Sequence, residues 1–526
     1  MSRWMPVGDL LRVAAYMYPD KLGARDLYRA MTFQEWNERC CRLGNALLDL
    51  GLKKGDKIAV IAYNSVEWME IYGATAKTGI ICVPIMFRMP PAEYHYILEN
   101  SEAKAFIVAG EFVSGVNTLK DKIPGIPSGN YIFFGGPTAP DGYLHYEDLI
   151  KNASPDEPPV KVNHEDIWII MYTSGTTGKP KGVVRSHESL IAQYLTNIAE
   201  LGFTRDDTGL LVMPMCHINS IYYSFVFTYT YGAVCVYNMI SFDPEHLLKT
   251  LSEMKITFTS LVPTHYIMML ALPDEVKNQY DVSAIHKLMC SSAPVRKDTK
   301  LAIMEYFKNS QLFEAYGSTE AGLVTLLRPE DQLKKLGSIG REIVGTDQIK
   351  ILDDTGQEVP VGQVGELYSK TPMVFNEYWK LPETTKEAFR GEYFSAGDMA
   401  YKDEEGFYTL VDRKKNMIIT GGENVYPSEV ENVIGSHPKV KDVAVIGIPD
   451  AKWGESVKAV VILHAASEGS PDLAQELMDY CKDKIAGYKK PKTVDFIKEE
   501  EMPRTGTGKI LHRELRVKYG KWSDQK

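Results

Sequence analysis

The chain has 526 residues, which is too long for one hydrophobic core and predicts at least two domains. Its 44% of hydrophobic and 24% of charged residues are ordinary for a soluble globular protein. The formal net charge is −10 and no long basic run occurs, so a nucleic-acid partner is not expected. The acidity also means that an anionic substrate must meet local positive charge.

Hydrophobic periodicity predicts alternating helices and strands in the first part of the chain. Residues 33–50 have the apolar spacing of an amphipathic helix, and Gly51 follows as a typical residue at a helix C-terminus. Strands that alternate with helices indicate βαβ units, and therefore parallel sheets covered by helices. The other elements predicted here are strands at 57–62, 80–85 and 105–108 and a helix at 66–78.

Residues 209–242 contain no Asp, Glu, Lys or Arg, and a segment of this length is long enough to cross a bilayer. Pro214 and His217 interrupt its apolar character, and Gly232 precedes a strand-like run at 233–236. We therefore predict a helix followed by a buried parallel strand, and no transmembrane segment.

The later part of the chain has a different organisation. The charged run at 412–416 separates two apolar segments and predicts a domain boundary. We therefore predict an α/β fold, with a large N-terminal domain of parallel-rich sheets packed by helices at 1–413 and a small α+β domain at 414–526. The elements predicted are strands at 258–262, 348–352, 365–368, 443–446 and 457–463 and helices at 427–434 and 472–485.

The seven cysteines are scattered along the chain and form no Cys-x-x-Cys pair. Their odd number and irregular spacing favour reduced, buried thiols and therefore a cytoplasmic location. Residues 1–9 are not followed by an apolar segment, so a secretory signal is not expected.

The run from Tyr172 to Val183, YTSGTTGKPKGV, carries the strongest functional signal. It follows an apolar stretch at 167–171, so a strand is predicted to lead into a glycine-rich loop. Glycines let the backbone approach a ligand, while amides, hydroxyls and lysines attract phosphate oxygens. The spacing differs from the phosphate loop of kinases and GTPases. The candidate phosphate-binding residues are Thr173, Ser174, Gly175, Thr176, Thr177, Gly178, Lys179 and Lys181.

This loop closely resembles the signature of the adenylate-forming superfamily, which includes acyl-CoA synthetases, the adenylation domains of peptide synthetases and luciferases. The resemblance covers almost the entire chain, because further motifs follow in the family's order. It implies an AMP-forming acyl-CoA synthetase that uses ATP, Mg²⁺ and coenzyme A. A small-molecule carboxylic acid is the expected substrate, and self-association into a homodimer stays open.

A second motif, YGSTE, lies at residues 316–320. The resemblance implies that Tyr316 stacks near the adenine and that Thr319 contacts the α-phosphate. Glu320, with Thr173, is implied to hold Mg²⁺, and a carboxylate suits such a hard cation. The other residues predicted to bind the nucleotide are Ser292, Ala293, Pro294, Ala315, Gly317 and Ser318.

The run MPMCHI at 213–218 resembles the family motif whose histidine borders the acyl site, so His217 is a candidate active-site residue. Ile218 stands where amino-acid adenylation domains usually have an aspartate, which favours a plain carboxylic acid. A small, apolar pocket with aromatic edges suits a short-to-medium, branched, alicyclic or aromatic acid. Its further candidates are Ser220, Ile221, Val262, Ser291, Ser292, Ala293, Pro294, Ala315 and Tyr316.

The run SAGD at 395–398 resembles the family's Thr-Gly-Asp motif, with Ala396 in place of the threonine. The resemblance implies that Asp398 and Arg413 hold the ribose. It also implies that Lys415 lies at a hinge about which a mobile C-terminal domain rotates.

Two further loops complete the resemblance. Residues Gly421, Gly422, Glu423 and Asn424 are implied to shape the pantetheine tunnel, although by themselves they predict only a turn. Lys509, in the run PRTGTGKI, is implied to bridge the substrate carboxylate and the α-phosphate. Such a cation is needed because two anionic groups must meet.

Three alternatives share these motifs. A ligase could pass the acyl group to a carrier protein, although we do not expect a carrier domain after Lys509. Luciferase chemistry would add oxygen to the same scheme. A non-catalytic nucleotide-binding regulator could have the same fold, because a fold does not imply a function.

Overall fold

The computed structural model of the chain describes residues 4–173, 179–291, 295–464, 468–482, 484–505 and 508–520. The chain forms two compact units. The first unit comprises Met1–Ile349 and Ser369–Phe394, and the second comprises Lys350–Tyr368 and Ser395–Lys526. The domain boundary predicted after Arg413 stays a prediction.

The described residues form helices of very different lengths. They are α1 Val7–Met17, α2 Phe33–Asp49, α3 Glu67–Thr78, α4 Pro91–Ser101, α5 Val113–Asn117, α6 Tyr146–Asn152, α7 His187–Leu201, α8 Ile218–Ser224, α9 Val226–Thr230, α10 Pro244–Glu253, α11 Pro263–Leu270, α12 Asp274–Lys277, α13 Lys297–Tyr306, α14 Pro382–Glu387, α15 Pro427–Gly435, α16 Pro471–Tyr480 and α17 His512–Tyr519.

The strands of the described residues pair into several sheets. They are β1 Leu22–Arg25, β2 Ala30–Thr32, β3 Lys57–Ile61, β4 Ile81–Ile85, β5 Ala103–Ala109, β6 Tyr131–Phe134, β7 Leu144–His145, β8 Ile167–Thr173, β9 Lys181–Ser186, β10 Thr208–Leu211, β11 Ala233–Val236, β12 Phe258–Leu261, β13 Lys287–Ser291, β14 Gln311–Ser318, β15 Gly322–Leu327, β16 Arg341–Glu342, β17 Lys350–Leu352, β18 Gly365–Tyr368, β19 Glu377–Tyr378, β20 Phe389–Arg390, β21 Tyr393–Phe394, β22 Asp398–Lys402, β23 Tyr408–Arg413, β24 Ile418–Thr420, β25 Glu423–Val425, β26 Val440–Asp450, β27 Gly454–Leu463 and β28 Thr493–Phe496.

One large sheet of the first unit has the order β19-β9-β8-β4-β3-β5-β6-β7. The strands from β8 to β7 pair in parallel, which confirms the predicted βαβ units. β4 is buried throughout, as expected of a parallel strand covered on both faces. On the other side of β8, β9 pairs antiparallel with it. The predicted phosphate loop therefore connects two neighbouring strands.

The other large sheet has the order β16-β15-β14-β13-β12-β10-β11-β1-β2. β11 lies parallel between β10 and β1, which confirms the strand predicted at 233–236. The single helix predicted before it was wrong in detail: two short helices, α8 and α9, meet at Phe225. Among the described residues, none of the helices has the length and apolar character that crossing a membrane requires.

The second unit contains the sheet β17-β18-β22-β23 and a mixed sheet in which β26, β27 and β24 pair antiparallel. The predicted α+β composition of the C-terminal residues is confirmed. β26 and β27 extend beyond the predicted strands because their ladder continues to the pair Asp450 and Gly454. α16 ends before the predicted residue 485, because Lys482 N donates to the Asp479 carbonyl in a tightened last turn.

All seven cysteines are free and buried, as the sequence predicted. Burial raises the pKa of Cys41 and Cys216 to about 12, so both thiols stay protonated near neutral pH.

Glu70 is the central polar anchor of the N-terminal region. Its carboxylate is fully buried and accepts hydrogen bonds from Arg29 Nη2 at 2.7 Å, Arg39 Nε at 2.7 Å and Tyr146 Oη at 2.8 Å. These partners lie on the β1–β2 connection, α2 and α6, while Glu70 lies on α3. One buried charge therefore ties four segments together.

We expect Glu70→Ala to lower the free energy of unfolding by about 3 kcal/mol, because it leaves two guanidinium groups without their shared carboxylate. Urea unfolding measures this loss. Glu147→Ala is the matched control, since Glu147 also pairs with Arg39 but its side chain is 47% exposed. The control should lose less than about 1 kcal/mol. Equal losses in the two variants would contradict a buried anchor.

Candidate active site

The predicted phosphate motif is held between β8 and β9. Thr173, the last residue of β8, lies opposite Lys181, the first residue of β9. Lys179 Nζ lies 5.3 Å from the centre of the Tyr96 ring, and Lys181 Nζ lies 4.7 Å from that of Tyr378. Both ammonium groups therefore contact aromatic faces. The predicted residues Ser174, Gly175, Thr176, Thr177 and Gly178 lie outside the described residues.

Tyr378 contacts both the phosphate motif at 172–183 and the second motif at 316–320. Its hydroxyl donates to Glu320 Oε1 at 2.9 Å, and its ring faces Lys181. Tyr378 reaches this place because β19 pairs with β9, with Tyr378 opposite Val183. Sequence reasoning missed Tyr378, because the pairing of β19 with β9 links residues almost two hundred positions apart. A cation and a carboxylate from different motifs thus converge on one phenol.

The second motif forms a tight turn between β14 and β15. Gly317 has no room for a side chain, since a Cβ atom there would clash with the Gly322 carbonyl and lie 2.9 Å from Leu323 Cα. Ser318 Oγ accepts a hydrogen bond from Ala321 N at 2.9 Å and so closes the turn. Thr319 and Glu320 therefore lie between Gly317, which is tightly packed, and Ala321, whose backbone N–H is hydrogen-bonded to Ser318.

Successive carbonyls of this turn accept hydrogen bonds from three different segments. Tyr222 Oη on α8 donates to the Ser318 carbonyl at 2.8 Å, and Arg185 Nη1 on β9 donates to the Thr319 carbonyl at 2.7 Å. Phe375 N donates to the Glu320 carbonyl at 2.6 Å. Sequence reasoning missed these partners, because they lie far from the turn along the chain.

His217 starts α8, where its Nδ1 accepts a hydrogen bond from Asn219 N at 3.2 Å. Asn219 Nδ2 in turn donates to Ser260 Oγ at 3.1 Å and to Ser291 Oγ at 2.8 Å. Ser260 and Ser291 lie near the carboxyl ends of β12 and β13, the edge at which parallel sheets commonly bind ligands. Asn219 and Ser260 were not among the predicted pocket residues.

Several other predicted pocket residues take part in packing. Ile221 is fully buried in the core, and Ser220 Oγ donates to the Met213 carbonyl at 2.6 Å. Ala315 lies on β14 opposite Leu326. The predicted residues Ser292, Ala293 and Pro294 lie outside the described residues.

In the second unit, the predicted ribose residues lie together. Asp398 on β22 pairs with Arg413 on β23, and Arg413 Nε lies 2.9 Å from Asp398 Oδ1. Asp398 is only 6% exposed, so its carboxylate is well fixed. Within the same unit, the carbonyl of Lys415 accepts a hydrogen bond from Arg516 Nη1 at 3.2 Å.

The Gly421–Gly422 pair forms the two-residue turn of the β24–β25 hairpin, as its residues predicted. Thr420 lies opposite Glu423 and Ile419 opposite Asn424. Both glycines have positive φ, as in a type I′ turn, and a Cβ atom on Gly421 would lie 2.8 Å from the Trp453 ring.

Lys509 follows another short loop. Its backbone N donates to Thr505 Oγ1 at 3.1 Å, and Thr505 N donates to its carbonyl at 2.8 Å. Arg504 Nη1 donates to the Gly508 carbonyl at 2.9 Å and so closes the base of the loop. Lys509 therefore lies on a loop whose described ends are fixed.

Comparisons with known proteins identify the family to which the chain belongs. A family model for AMP-binding enzymes matches residues 11–379, and one for the AMP-binding enzyme C-terminal domain matches residues 429–509. The chain belongs to the AMP-binding enzyme family, which confirms the predicted resemblance.

A feruloyl-CoA synthase of an Amycolatopsis species is 33% identical over 510 residues, covering 96% of this chain and 97% of the relative. A long-chain-fatty-acid–CoA ligase of Mycobacterium tuberculosis is 34% identical over 492 residues, covering 93% of each chain. The crystal structure of an anthranilate CoA ligase in complex with anthranoyl-AMP has a TM-score of 0.86 at 28% identity. That match covers 99% of this chain and 98% of the other.

His187 begins α7 directly after β9 and is fully buried. Its ring stacks on Trp168 at 5.4 Å, and its Nδ1 accepts a hydrogen bond from Val7 N at 3.2 Å. Its Nε2 is buried and has no hydrogen-bond partner among the described residues. Burial lowers the pKa of His187 to about 3, so the folded protein holds a neutral imidazole.

The free energy of unfolding should therefore fall as the pH drops below 6.5, the ordinary pKa of histidine. Below this pH, His187 binds a proton in the unfolded chain but stays neutral in the folded protein. Between pH 7 and pH 5 this residue should account for about 2 kcal/mol of lost unfolding free energy. Urea unfolding of the wild type and of His187→Gln at both pH values measures the difference. Equal losses in both proteins would contradict the prediction.

Proposed function

We propose that this chain is an AMP-forming acyl-CoA synthetase. It converts a carboxylic acid, ATP and coenzyme A into an acyl-CoA, AMP and pyrophosphate through an acyl-adenylate. The observation that supports this most is the meeting of Lys181 and Glu320 on Tyr378, beside Thr173 at the end of β8. A cation and a carboxylate oxygen that accepts no hydrogen bond from the described residues suit a magnesium nucleotide.

In the first half-reaction, a carboxylate oxygen attacks the α-phosphorus of ATP, and the bond to the bridging oxygen breaks so that pyrophosphate leaves. Reactions of this kind depend on positioning and charge neutralisation rather than on a protein nucleophile. We assign these tasks to the loop from Thr173 to Lys181 and to Lys509. His217 would border the reacting carboxylate.

Glu320 fits the role of a Mg²⁺ ligand. One of its carboxylate oxygens accepts from Tyr378, and the other accepts no hydrogen bond from the described residues. Among those residues no cluster of three His, Cys, Asp or Glu side chains could hold a metal. This matches an ion that takes most ligands from water and phosphates, with Thr173 offering a hydroxyl. When bound, Mg²⁺ would neutralise phosphate charge.

We propose that residues of the 316–320 motif and of the 395–398 motif bind the rest of the nucleotide. Tyr316 would stack on the adenine, Thr319 would contact the α-phosphate, and Asp398 would accept the ribose hydroxyls beside Arg413. An ionised carboxylate fixed by a guanidinium is a suitable acceptor for two hydroxyl groups. The neighbouring residues in this proposal are Ser292, Ala293, Pro294, Ala315, Gly317 and Ser318.

In the second half-reaction, the thiolate of coenzyme A attacks the acyl carbon, and the bond from that carbon to the AMP oxygen breaks. We propose that a C-terminal domain at 414–526 turns about Lys415 between the two steps, as hinge transitions of enzymes do. The Gly421–Gly422 turn, with Glu423 and Asn424, would then face the pantetheine arm.

The proposed acid is short to medium in length, or branched, alicyclic or aromatic. The polar group formed by Asn219, Ser260 and Ser291 would lie at one end of the acyl site and give it a hydrogen-bonding wall. A cytoplasmic location agrees with the free, buried cysteines. Self-association into a homodimer is not needed for this chemistry.

We expect Lys509→Ala to slow acid-dependent ATP–pyrophosphate exchange by roughly 10²- to 10³-fold, because the two reacting anions lose their cation. Thioester formation from a preformed acyl-adenylate and coenzyme A should persist. Lys498→Ala is the matched control, since Lys498 is an exposed lysine of the same unit. The assignment fails if Lys509→Ala slows only the step from preformed adenylate.

The proposed reaction predicts acyl-CoA and AMP in equal amounts from at least one acid of a panel containing benzoate, cyclohexanecarboxylate, isovalerate and octanoate. Mass spectrometry of a reaction with MgATP and coenzyme A measures both products. AMP or a bound adenylate without thioester would indicate a carrier protein as the acceptor. Tight MgATP binding without either product would indicate a nucleotide-binding regulator.

A further inference from the structure

Arg185 is an unusual side chain in the first unit. It is the last residue but one of β9 and is fully buried. Its Nη1 donates to the Thr319 carbonyl at 2.7 Å, its Nε to Ser189 Oγ at 3.1 Å and its Nη2 to the Ser189 carbonyl at 3.4 Å. The guanidinium is thus hydrogen-bonded on several sides.

The guanidinium of Arg185 nevertheless has no ion-pair partner within the described part of the protein. Each of its partners is a neutral oxygen, and no described carboxylate lies within ion-pair distance of it. A buried charge without a counter-ion is costly, so a folded chain keeps one only where something offsets it. An anion that binds nearby would do so.

Tyr222 is the second buried group beneath the turn of residues 318–320. Its ring centre lies 5.9 Å from the Arg185 guanidinium carbon, and its hydroxyl donates to the Ser318 carbonyl at 2.8 Å. Burial raises the pKa of Tyr222 to about 12, so it stays a neutral donor. Arg185 and Tyr222 therefore hold consecutive carbonyls of the turn.

Fixing these carbonyls fixes the peptide planes on both sides of Thr319. The directions in which the Thr319 hydroxyl and the Glu320 carboxylate leave the backbone are thereby restricted. Arg185 also links this turn to the strand that starts at Lys181, so the two motifs share one rigid support. Such support around a site preserves its geometry between turnovers.

We propose that Arg185 is a positioning residue for the triphosphate of ATP, and that the triphosphate is the anion that offsets its buried charge. The inference rests on the function proposed above. Arg185 acts through the Thr319 carbonyl and through its electric field, which is weakly screened in the interior. Its effect must therefore grow with the number of phosphate charges on the nucleotide.

Titration calorimetry in EDTA with ATP and with AMP tests this charge dependence without any knowledge of the acid, because bound Mg²⁺ would lower the net charge of ATP to about that of AMP. Arg185→Met should weaken the binding of metal-free ATP roughly tenfold or more, and AMP binding several-fold less than that, because AMP lacks the two outer phosphates. Arg185→Lys keeps the charge and should restore most of the preference for ATP. Should Arg185→Met fail to fold, Arg185→Gln takes its place, since its amide can still donate toward the Thr319 carbonyl.

Arg39→Met is the matched control, because it removes an arginine of the Glu70 network that has no link to the 318–320 turn. It should lower stability without changing the ratio of the two affinities. A purely structural Arg185 would weaken the binding of metal-free ATP and of AMP equally, and this result would overturn the proposal. Identical behaviour of the Lys and Met variants would overturn it as well. Absence of MgATP binding by the wild type would instead overturn the proposed function.

Discussion

Repulsion between anions is the constraint on which the account of this protein depends. A carboxylate and a nucleotide triphosphate both carry negative charge, and the chain itself has a formal net charge of −10. Long-range attraction by the whole protein is therefore not available, and positive charge has to be concentrated at the site. The structure places Lys179 and Lys181 at one end of β9 and the buried Arg185 further along the same strand.

Positive charge alone would not fix the positions of the groups that bind the nucleotide. The turn at residues 318–320 fixes two of them, Thr319 and Glu320. Its carbonyls are held by Tyr222, Arg185 and the Phe375 amide, which come from separate parts of the chain. The Glu320 side chain is fixed through Tyr378, which also contacts Lys181. Neutral donors and one buried cation thus organise a turn that carries a hydroxyl and a carboxylate. The residues that support the turn are therefore different from Thr319 and Glu320, which we assign to nucleotide and Mg²⁺ binding.

The motifs were predictable from sequence because their chemistry is local. A strand followed by glycines, hydroxyls and lysines points to phosphate wherever it lies, and the 421–422 glycine pair had to form a turn. The parallel sheets followed from apolar runs alternating with helices. The supporting residues were not predictable in this way. Tyr378, Arg185 and Asn219 acquire their roles from the pairing of β19 with β9 and from the position of α8, which depend on contacts distant in sequence.

The transfer of labelled oxygen tests the central claim most directly. The acid that the enzyme activates would be supplied with ¹⁸O in both carboxylate oxygens, and the AMP formed with coenzyme A would be examined by mass spectrometry. The account predicts one labelled oxygen in AMP, because the attacking carboxylate oxygen stays on phosphorus when the thiolate displaces AMP. Unlabelled AMP, or label in orthophosphate with ADP as the nucleotide product, would contradict an acyl-adenylate.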